Sequence, residues 1–228
     1  MRPRMAAVLV AAVALVAAAP AQAATLTLVG SKSCYRFGDT LTLNGAGFTP
    51  GGQANITLEG KDLGVLPTDA AGNFSAPLNI GSLKGVSTRT LIATDAANPT
   101  NVGQAEFLGS ALGVTVRPRN GGAGRKLRLN ASGFTTGKRL YAHIVRKRYR
   151  RNVFIGKLKG ACRTLKLRKR VLAASTPTGV YTVQFDTKRR YSRKTKVAVR
   201  FTVTVSPRIG GAGLLGQPRL TQTVLFSR

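Results

Sequence analysis

Leu41-Thr42-Leu43-Asn44-Gly45-Ala46-Gly47-Phe48-Thr49 returns in looser form 86 residues later as Leu127-Arg128-Leu129-Asn130-Ala131-Ser132-Gly133-Phe134-Thr135. Gly51 then matches Gly137, and an alternating apolar segment follows each copy: Ala54, Ile56, Leu58 and Leu140, Ala142, Ile144. Alternation with a period of two puts one face of a strand in a core and the other in water. Each copy therefore reads as strand, Gly-Phe turn, strand. Gly47 and Gly133 are expected where the backbone needs an angle that side chains resist. Phe48 and Phe134 are expected to plug the bottom of a core. A repeat of this length matches one small β-sandwich and exceeds the unit of most solenoids.

Working outward, the remaining segments keep the same character. Asp69-Ala70-Ala71-Gly72-Asn73-Phe74 is rich in turn formers and signals a hairpin. Later strands are expected at 89–94 and 104–108, and at 180–185 and 197–205 in the second copy. Trp is absent, Gly numbers 26, and helix-forming runs are scarce after Ala24. The chain is accordingly expected to be all-β, with two tandem sandwiches. The boundary is placed at Gly109-Ser110, giving domains at 24–109 and 110–206, close together across a short linker. A Gly-rich tail, 207–228, reads as mostly flexible.

The N-terminus predicts export. Arg2 and Arg4 precede an apolar run from Met5 to Ala19, Pro20 breaks it, and Ala21-Gln22-Ala23 offers a small-x-small cleavage site. That is the pattern of a secretory signal peptide, here 1–23. The run is shorter than the roughly 20 residues a spanning helix needs, so no transmembrane span is expected in the mature chain. The alternative is an uncleaved anchor.

Charge divides the chain sharply. Between Ala24 and Gly109 there are 5 basic and 6 acidic side chains; between Ser110 and Arg228 there are 29 and 1, the single acid being Asp186. A near-neutral first half and a second half near +28 imply different partners for the two.

Pro177-Thr178-Gly179-Val180-Tyr181 adds a more specific cue. A Gly turn followed by Tyr at the start of a late strand resembles the tyrosine corner of immunoglobulin-like sandwiches. Cys34-Tyr35-Arg36-Phe37-Gly38-Asp39, Gly45-Ala46-Gly47-Phe48-Thr49-Pro50-Gly51 and Asp69 to Phe74 together resemble the Ig-like repeats of secreted actinobacterial cell-envelope proteins. These are turn motifs and speak to fold. The resemblance implies an extracytoplasmic, non-catalytic module used for display, adhesion or wall association. The basic second domain departs from that pattern.

Catalysis finds little support. His143 is the one histidine, and the alternation sets it opposite Ala142 and Ile144, which predicts a solvent-facing ring with no acid nearby to make it a base. Asp39, Asp69 and Asp95 read as turn and strand-end residues, so no pair of converging carboxylates is expected. One His and two distant Cys cannot build a zinc site. Gly121-Gly122-Ala123-Gly124 leads into a strand, not the helix a phosphate loop requires. No enzyme activity, metal or cofactor is expected.

Cys34 and Cys162 are the only cysteines. In an oxidising compartment two cysteines suggest one disulfide, here tying the two domains. Two unpaired or intermolecular thiols are the alternative.

Three basic clusters supply the functional lead. Arg146-Lys147-Arg148-Tyr149-Arg150-Arg151 and Lys188-Arg189-Arg190-Tyr191-Ser192-Arg193-Lys194-Thr195-Lys196 read as hairpin loops, and Lys166-Leu167-Arg168-Lys169-Arg170 as a strand. The candidate polyanion-binding residues are Arg146, Lys147, Arg148, Arg150, Arg151, Lys188, Arg189, Arg190, Arg193, Lys194 and Lys196. Tyr149 and Tyr191 could stack on sugars or bases, or pack as ordinary strand aromatics. The expected partner is an anionic cell-wall or extracellular polymer: wall glycopolymer, polysaccharide or nucleic acid. The alternative is a structural or adhesive tandem whose basic face is merely solvated.

Overall fold

Alternation along the strands builds two sandwiches in series. The computed structural model describes residues 23–30, 32–118 and 123–206, together with the short strand Leu220–Thr221. The leader expected at 1–23, apart from Ala23, and the tail expected at 207–228, apart from that strand, lie outside the described residues. No helix occurs among the described residues, so none there is long and apolar enough to cross a membrane.

In the first domain β1 (Thr25–Val29), β2 (Thr40–Ala46) and β5 (Phe74–Asn79) form one sheet in the order β1-β2-β5. Facing it are β3 (Gln53–Leu58), β4 (Lys61–Pro67), β6 (Val86–Asp95) and β7 (Val102–Ser110), ordered β4-β3-β6-β7. The second domain repeats the plan. Its three-stranded sheet is β12-β9-β8, from β8 (Gly113–Arg117), β9 (Lys126–Ser132) and β12 (Leu165–Arg170). The larger sheet runs β11-β10-β13-β14-β15, from β10 (Arg139–Arg146), β11 (Tyr149–Lys157), β13 (Gly179–Asp186), β14 (Val199–Val205) and β15 (Leu220–Thr221). Each domain is thus an antiparallel immunoglobulin-like sandwich with its own core. One core centres on Leu41, Leu43, Ile56 and Leu91; the other centres on Leu129, Phe134, Leu140 and Phe185.

The repeated motif occupies equivalent places. β2 and β9 carry it, and Gly47 and Gly133 follow with φ of 78° and 75°. A Cβ on Gly133 would lie 2.6 Å from the Ala111 carbonyl oxygen, so only glycine fits. Phe48 and Phe134 are both buried. The tyrosine corner is present in the second domain: buried Tyr181 donates its hydroxyl to the Pro177 carbonyl at 2.7 Å.

The junction is tight. Only Ala111 and Leu112 separate β7 from β8. Tyr35, in the β1–β2 loop, donates its N–H to Leu108 O and accepts from Ser110 N–H, each at 2.9 Å, which clamps that loop along the end of β7. Beside it Cys34 is bonded to Cys162 of the β11–β12 loop, with Cα atoms 5.1 Å apart and a sequence separation of 128. Cys162 O in turn accepts from Gly133 N–H at 2.9 Å, which places the bond on the Gly-Phe turn of the second domain. Closing so long a loop restricts the unfolded chain by about 4–5 kcal/mol in the chain-entropy account. The C34S/C162S variant is expected to lose about that much stability in urea unfolding while keeping its strand signal in far-ultraviolet circular dichroism, because each core is complete without the bond.

Candidate functional site

The one carboxylate of the second domain organises its most basic loop. On the outer face of the larger sheet, Asn152, His143, Gln184 and Arg200 stand in a single register row across β11, β10, β13 and β14. Asp186 lies one step along β13 on the same face. Its Oδ1 accepts from His143 Nε2 at 3.1 Å and from Lys188 N–H at 2.8 Å, and its Oδ2 accepts from Gln184 Nε2 at 2.5 Å. Gln184 Nε2 also donates to Ser192 O at 3.1 Å. Arg200 completes the chain, donating from Nε to Gln184 Oε1 at 2.7 Å and from Nη2 to Arg193 O at 2.9 Å. The loop between β13 and β14 is therefore folded back over the sheet and held there by its own carbonyls.

That fold-back corrects the expectation for His143. The alternation does set it opposite Ala142 and Ile144, but the returning loop covers the outer face, and His143, Gln184 and Asp186 are each 0% exposed. Nor is an acid missing, since Asp186 reaches the ring from β13, 43 residues away. His143 Nδ1 sits 2.7 Å from Asn152 Oδ1. An imidazolium can donate to both oxygens at once, whereas a neutral ring donates to one. Burial opposes the charge, but the hydrogen bonds to Asp186 and Asn152 and the charge of Asp186 outweigh it, and the pKa is held above the ordinary histidine value.

The two loop clusters start from opposite ends of the larger sheet. β10 and β13 are antiparallel, with Val145 opposite Thr182 at one end and Tyr141 opposite Asp186 at the other. The β10–β11 turn, Lys147 and Arg148, therefore lies at the opposite end of the sheet from Lys188, where the β13–β14 loop begins, about 20 Å away at the rise of a strand; the folded-back part of that loop comes over the His143 row, where Arg200 holds the Arg193 carbonyl. Lys147 takes φ of 43° in this turn, a conformation that glycine usually fills. Arg146 is not an open cation. It lies 5.5 Å over the Tyr181 ring and donates to Thr178 O, so it braces the tyrosine corner. Arg150 and Arg151 project, exposed, from the edge strand β11.

Both loop tyrosines pack on neighbours. Tyr149 meets Tyr181 edge-on at 5.4 Å, and Tyr191 leans on His143 at 5.9 Å. Arg189 and Arg190 do converge with Tyr141, Asn152 and Phe154 around an open cleft of about 530 Å³.

The strand cluster gains partners that its sequence neighbours do not reveal. Arg168 on β12 lies directly opposite Arg128 on β9, and Arg128 lies directly opposite Arg117 on β8. Lys126 pairs with Arg170 in the row on one side, and Lys166 with Asn130 in the row on the other. Alternating basic and apolar residues in 126–129 and 165–168 announce that each strand has a charged outer face; the alignment of the strands is what joins them.

Three acids of the first domain, Asp39, Asp69 and Asp95, hold loops. Asp69 accepts from Ala71 and Asn73 N–H, and Asp39 from Arg36 N–H and Lys32 Nζ. Asp95 ends β6 and accepts from Thr49 N–H and hydroxyl at 2.6 and 2.8 Å and from Ala97 N–H. Burial opposes its charge, but these bonds outweigh it and hold the carboxyl below its usual range. Among the described residues no three His, Cys, Asp or Glu side chains gather as metal ligands.

No protein-family model and no curated protein matches the chain. Among solved structures it is similar to a Corynebacterium diphtheriae protein provisionally described as membrane anchored, with 11% identity and a TM-score of 0.35 over 91% of this chain and 58% of that one. It is also similar to the human OSCAR ligand-binding domain, with 12% identity and a TM-score of 0.29 over 90% and 98% of the two chains. A Salmonella alpha-2-macroglobulin gives 13% identity and a TM-score of 0.29 over 90% of this chain and 15% of that one. The chain thus spans well under two thirds of the first and third of these proteins. Likenesses at this level carry no argument, and the fold stands on its own strand order.

Two outcomes follow from the buried row. Asp186→Ala strips the carboxylate from His143, Gln184 and Lys188 N–H and is expected to cost about 3–5 kcal/mol in urea unfolding. Because the folded pKa of His143 is raised, the stability it contributes is present in full below about pH 6.5 and is lost as pH rises through the folded value. The urea midpoint is therefore expected to fall between pH 6 and pH 9, and His143→Gln is expected to flatten that slope.

Proposed function

We propose that this chain is an extracytoplasmic, non-catalytic protein of the cell envelope whose basic second domain holds an anionic polymer by multivalent charge pairing. The first domain serves as spacer or protein-contact module. One observation carries the reading. The second domain, 110–206, has 26 basic side chains and a single acid, and that acid is buried beneath its own loop, while an equivalent sandwich in the same chain is near neutral. A surface of one sign raises the potential around it by several kT and draws polyanions from a distance. The disulfide supports an oxidising compartment, and the expected leader at 1–23 agrees with that placement.

The non-catalytic part of the reading is supported by what the acids do. Asp39, Asp69, Asp95 and Asp186 are each occupied by hydrogen-bond donors of the fold. His143 is shut away from solvent.

The experiment is a titration of the purified mature chain with cell-wall material and with long-chain polyphosphate over a salt series. Binding at 50 mM salt is expected, with log K falling linearly as log salt rises. A flat salt response, or no binding at 50 mM, would sink the proposal and favour a purely adhesive tandem.

A further inference from the structure

We infer that the polymer is held on the flat outer face of β8, β9 and β12, and that it is a base-free chain of oxyanions, an acidic polysaccharide or a polyol phosphate. This rests on the polyanion reading above and adds the place and the ligand class.

Arg117, Lys126, Arg128, Lys166, Arg168 and Arg170 all lie exposed on this face. Strands about 4.8 Å apart, with side chains on one face every 6.7 Å or so along each, set them on a regular grid. Arg117, Arg128 and Arg168 fill one row across all three strands. Like charges placed directly opposite one another destabilise a sheet, and here the middle arginine has one on either side. The domain's single acid cannot relieve them, because Asp186 is on the opposite sheet and already bonded. Beside this row lies a groove of about 800 Å³ whose described lining is Arg117, Pro118, Arg125, Lys126, Arg128 and Arg168.

The fold does not require this arrangement. In the first domain the same row is Val29, Thr42 and Pro77, joined by the same register across β1, β2 and β5. The next row there is Thr27, Asn44 and Ser75, with Ser75 donating to Asn44 at 2.8 Å. One sandwich therefore carries a neutral face, and its repeat carries six cations at a cost to its own stability. A bound row of oxyanions removes that cost, since each guanidinium can pair bidentately with a phosphate or carboxylate.

The ligand class follows from what surrounds the cations. The outward positions of the three strands are Gly113, Thr115, Arg117, Lys126, Arg128, Asn130, Ser132, Lys166, Arg168 and Arg170, with no aromatic among them. Single-stranded nucleic acid is held by basic grooves that also offer rings for base stacking. This face offers charge and a flat surface alone, which suits a linear polymer without bases.

The test compares two triple variants of equal charge in the full mature chain: R117Q/R128Q/R168Q on the face and R148Q/R189Q/R190Q on the loops. Binding is read by titration with long-chain polyphosphate, with polygalacturonate and with a dT oligomer at several salt concentrations. The face variant is expected to weaken binding at least tenfold and to lower the slope of log K against log salt by roughly 2 to 3, on the order of one released ion for each lost contact. The loop variant is expected to weaken it less than threefold. Response of polyphosphate alone, of polygalacturonate alone, or of both supports the site and names the oxyanion. The face variant is expected to melt no lower than the parent, since repulsion has been removed, which keeps a binding loss from being a folding loss. Equal effects of the two variants would overturn the assigned face while leaving the polyanion reading intact. A dT oligomer bound more tightly than both base-free polymers would overturn the ligand class. Failure of the unmodified chain to bind any of them would overturn the polyanion reading itself.

Discussion

Taking a carboxylate out of water costs several kcal/mol unless charge and hydrogen bonds replace the solvent. Asp186 is fully buried, and the replacements are all local: His143, Gln184 and the Lys188 N–H. The loop 187–198 depends on that exchange. Gln184 and Arg200 donate to carbonyls of Ser192 and Arg193, so the loop's backbone is tied down onto the sheet while its exposed cations, Lys188 to Arg190 among them, turn toward water. Without the carboxylate, a cationic loop would have to lie over His143 and Arg200 with nothing to balance them. The most basic segment of the protein is ordered by the one negative charge in its domain.

The second constraint acts between domains. A two-residue linker limits how far the sandwiches can part, the Tyr35 clamp anchors the β1–β2 loop to the end of β7, and the Cys34–Cys162 bond joins that loop to the Gly-Phe turn of the other domain. The linker and the disulfide, their first-domain ends held together by the clamp, leave little freedom for hinge motion. The cationic faces of the second domain are thereby presented at a set angle to the first, which suits a multivalent contact, because pre-ordered groups lose less entropy on binding.

The internal repeat separates frame from function. Strand order, the positive-φ glycine and the buried phenylalanine recur in both domains, yet a row that is Val29, Thr42, Pro77 in one is Arg117, Arg128, Arg168 in the other. The frame tolerates both because outward positions of a sandwich sheet are not needed for its core. Function is carried by what is grafted on that surface. The end of the sixth strand shows the same freedom: Asp95 anchors Thr49 in the first domain, and in the second Thr187 meets Thr136 there at 3.2 Å.

Much of the fold was legible from local pattern. Period-two alternation located strands such as β2, β3, β9, β10 and β13, though not β1, β4 or β11; the Gly-Phe pair located the turns and core plugs, and Pro177 to Tyr181 announced the tyrosine corner. All of these depend on a few adjacent residues and on the geometry of an extended chain. Charge could be assigned to the second domain by counting. What the sequence could not decide was everything set by contacts between distant segments. The burial of His143 required a loop 44 or more residues downstream to fold back; the start of the two basic loops from opposite ends of the sheet followed from the antiparallel pairing of β10 and β13; the arginine row required three strands from 113 to 170 to align at one register. Alternation says which face a side chain takes, and only the packing of the folded chain says what lies across from it or on top of it.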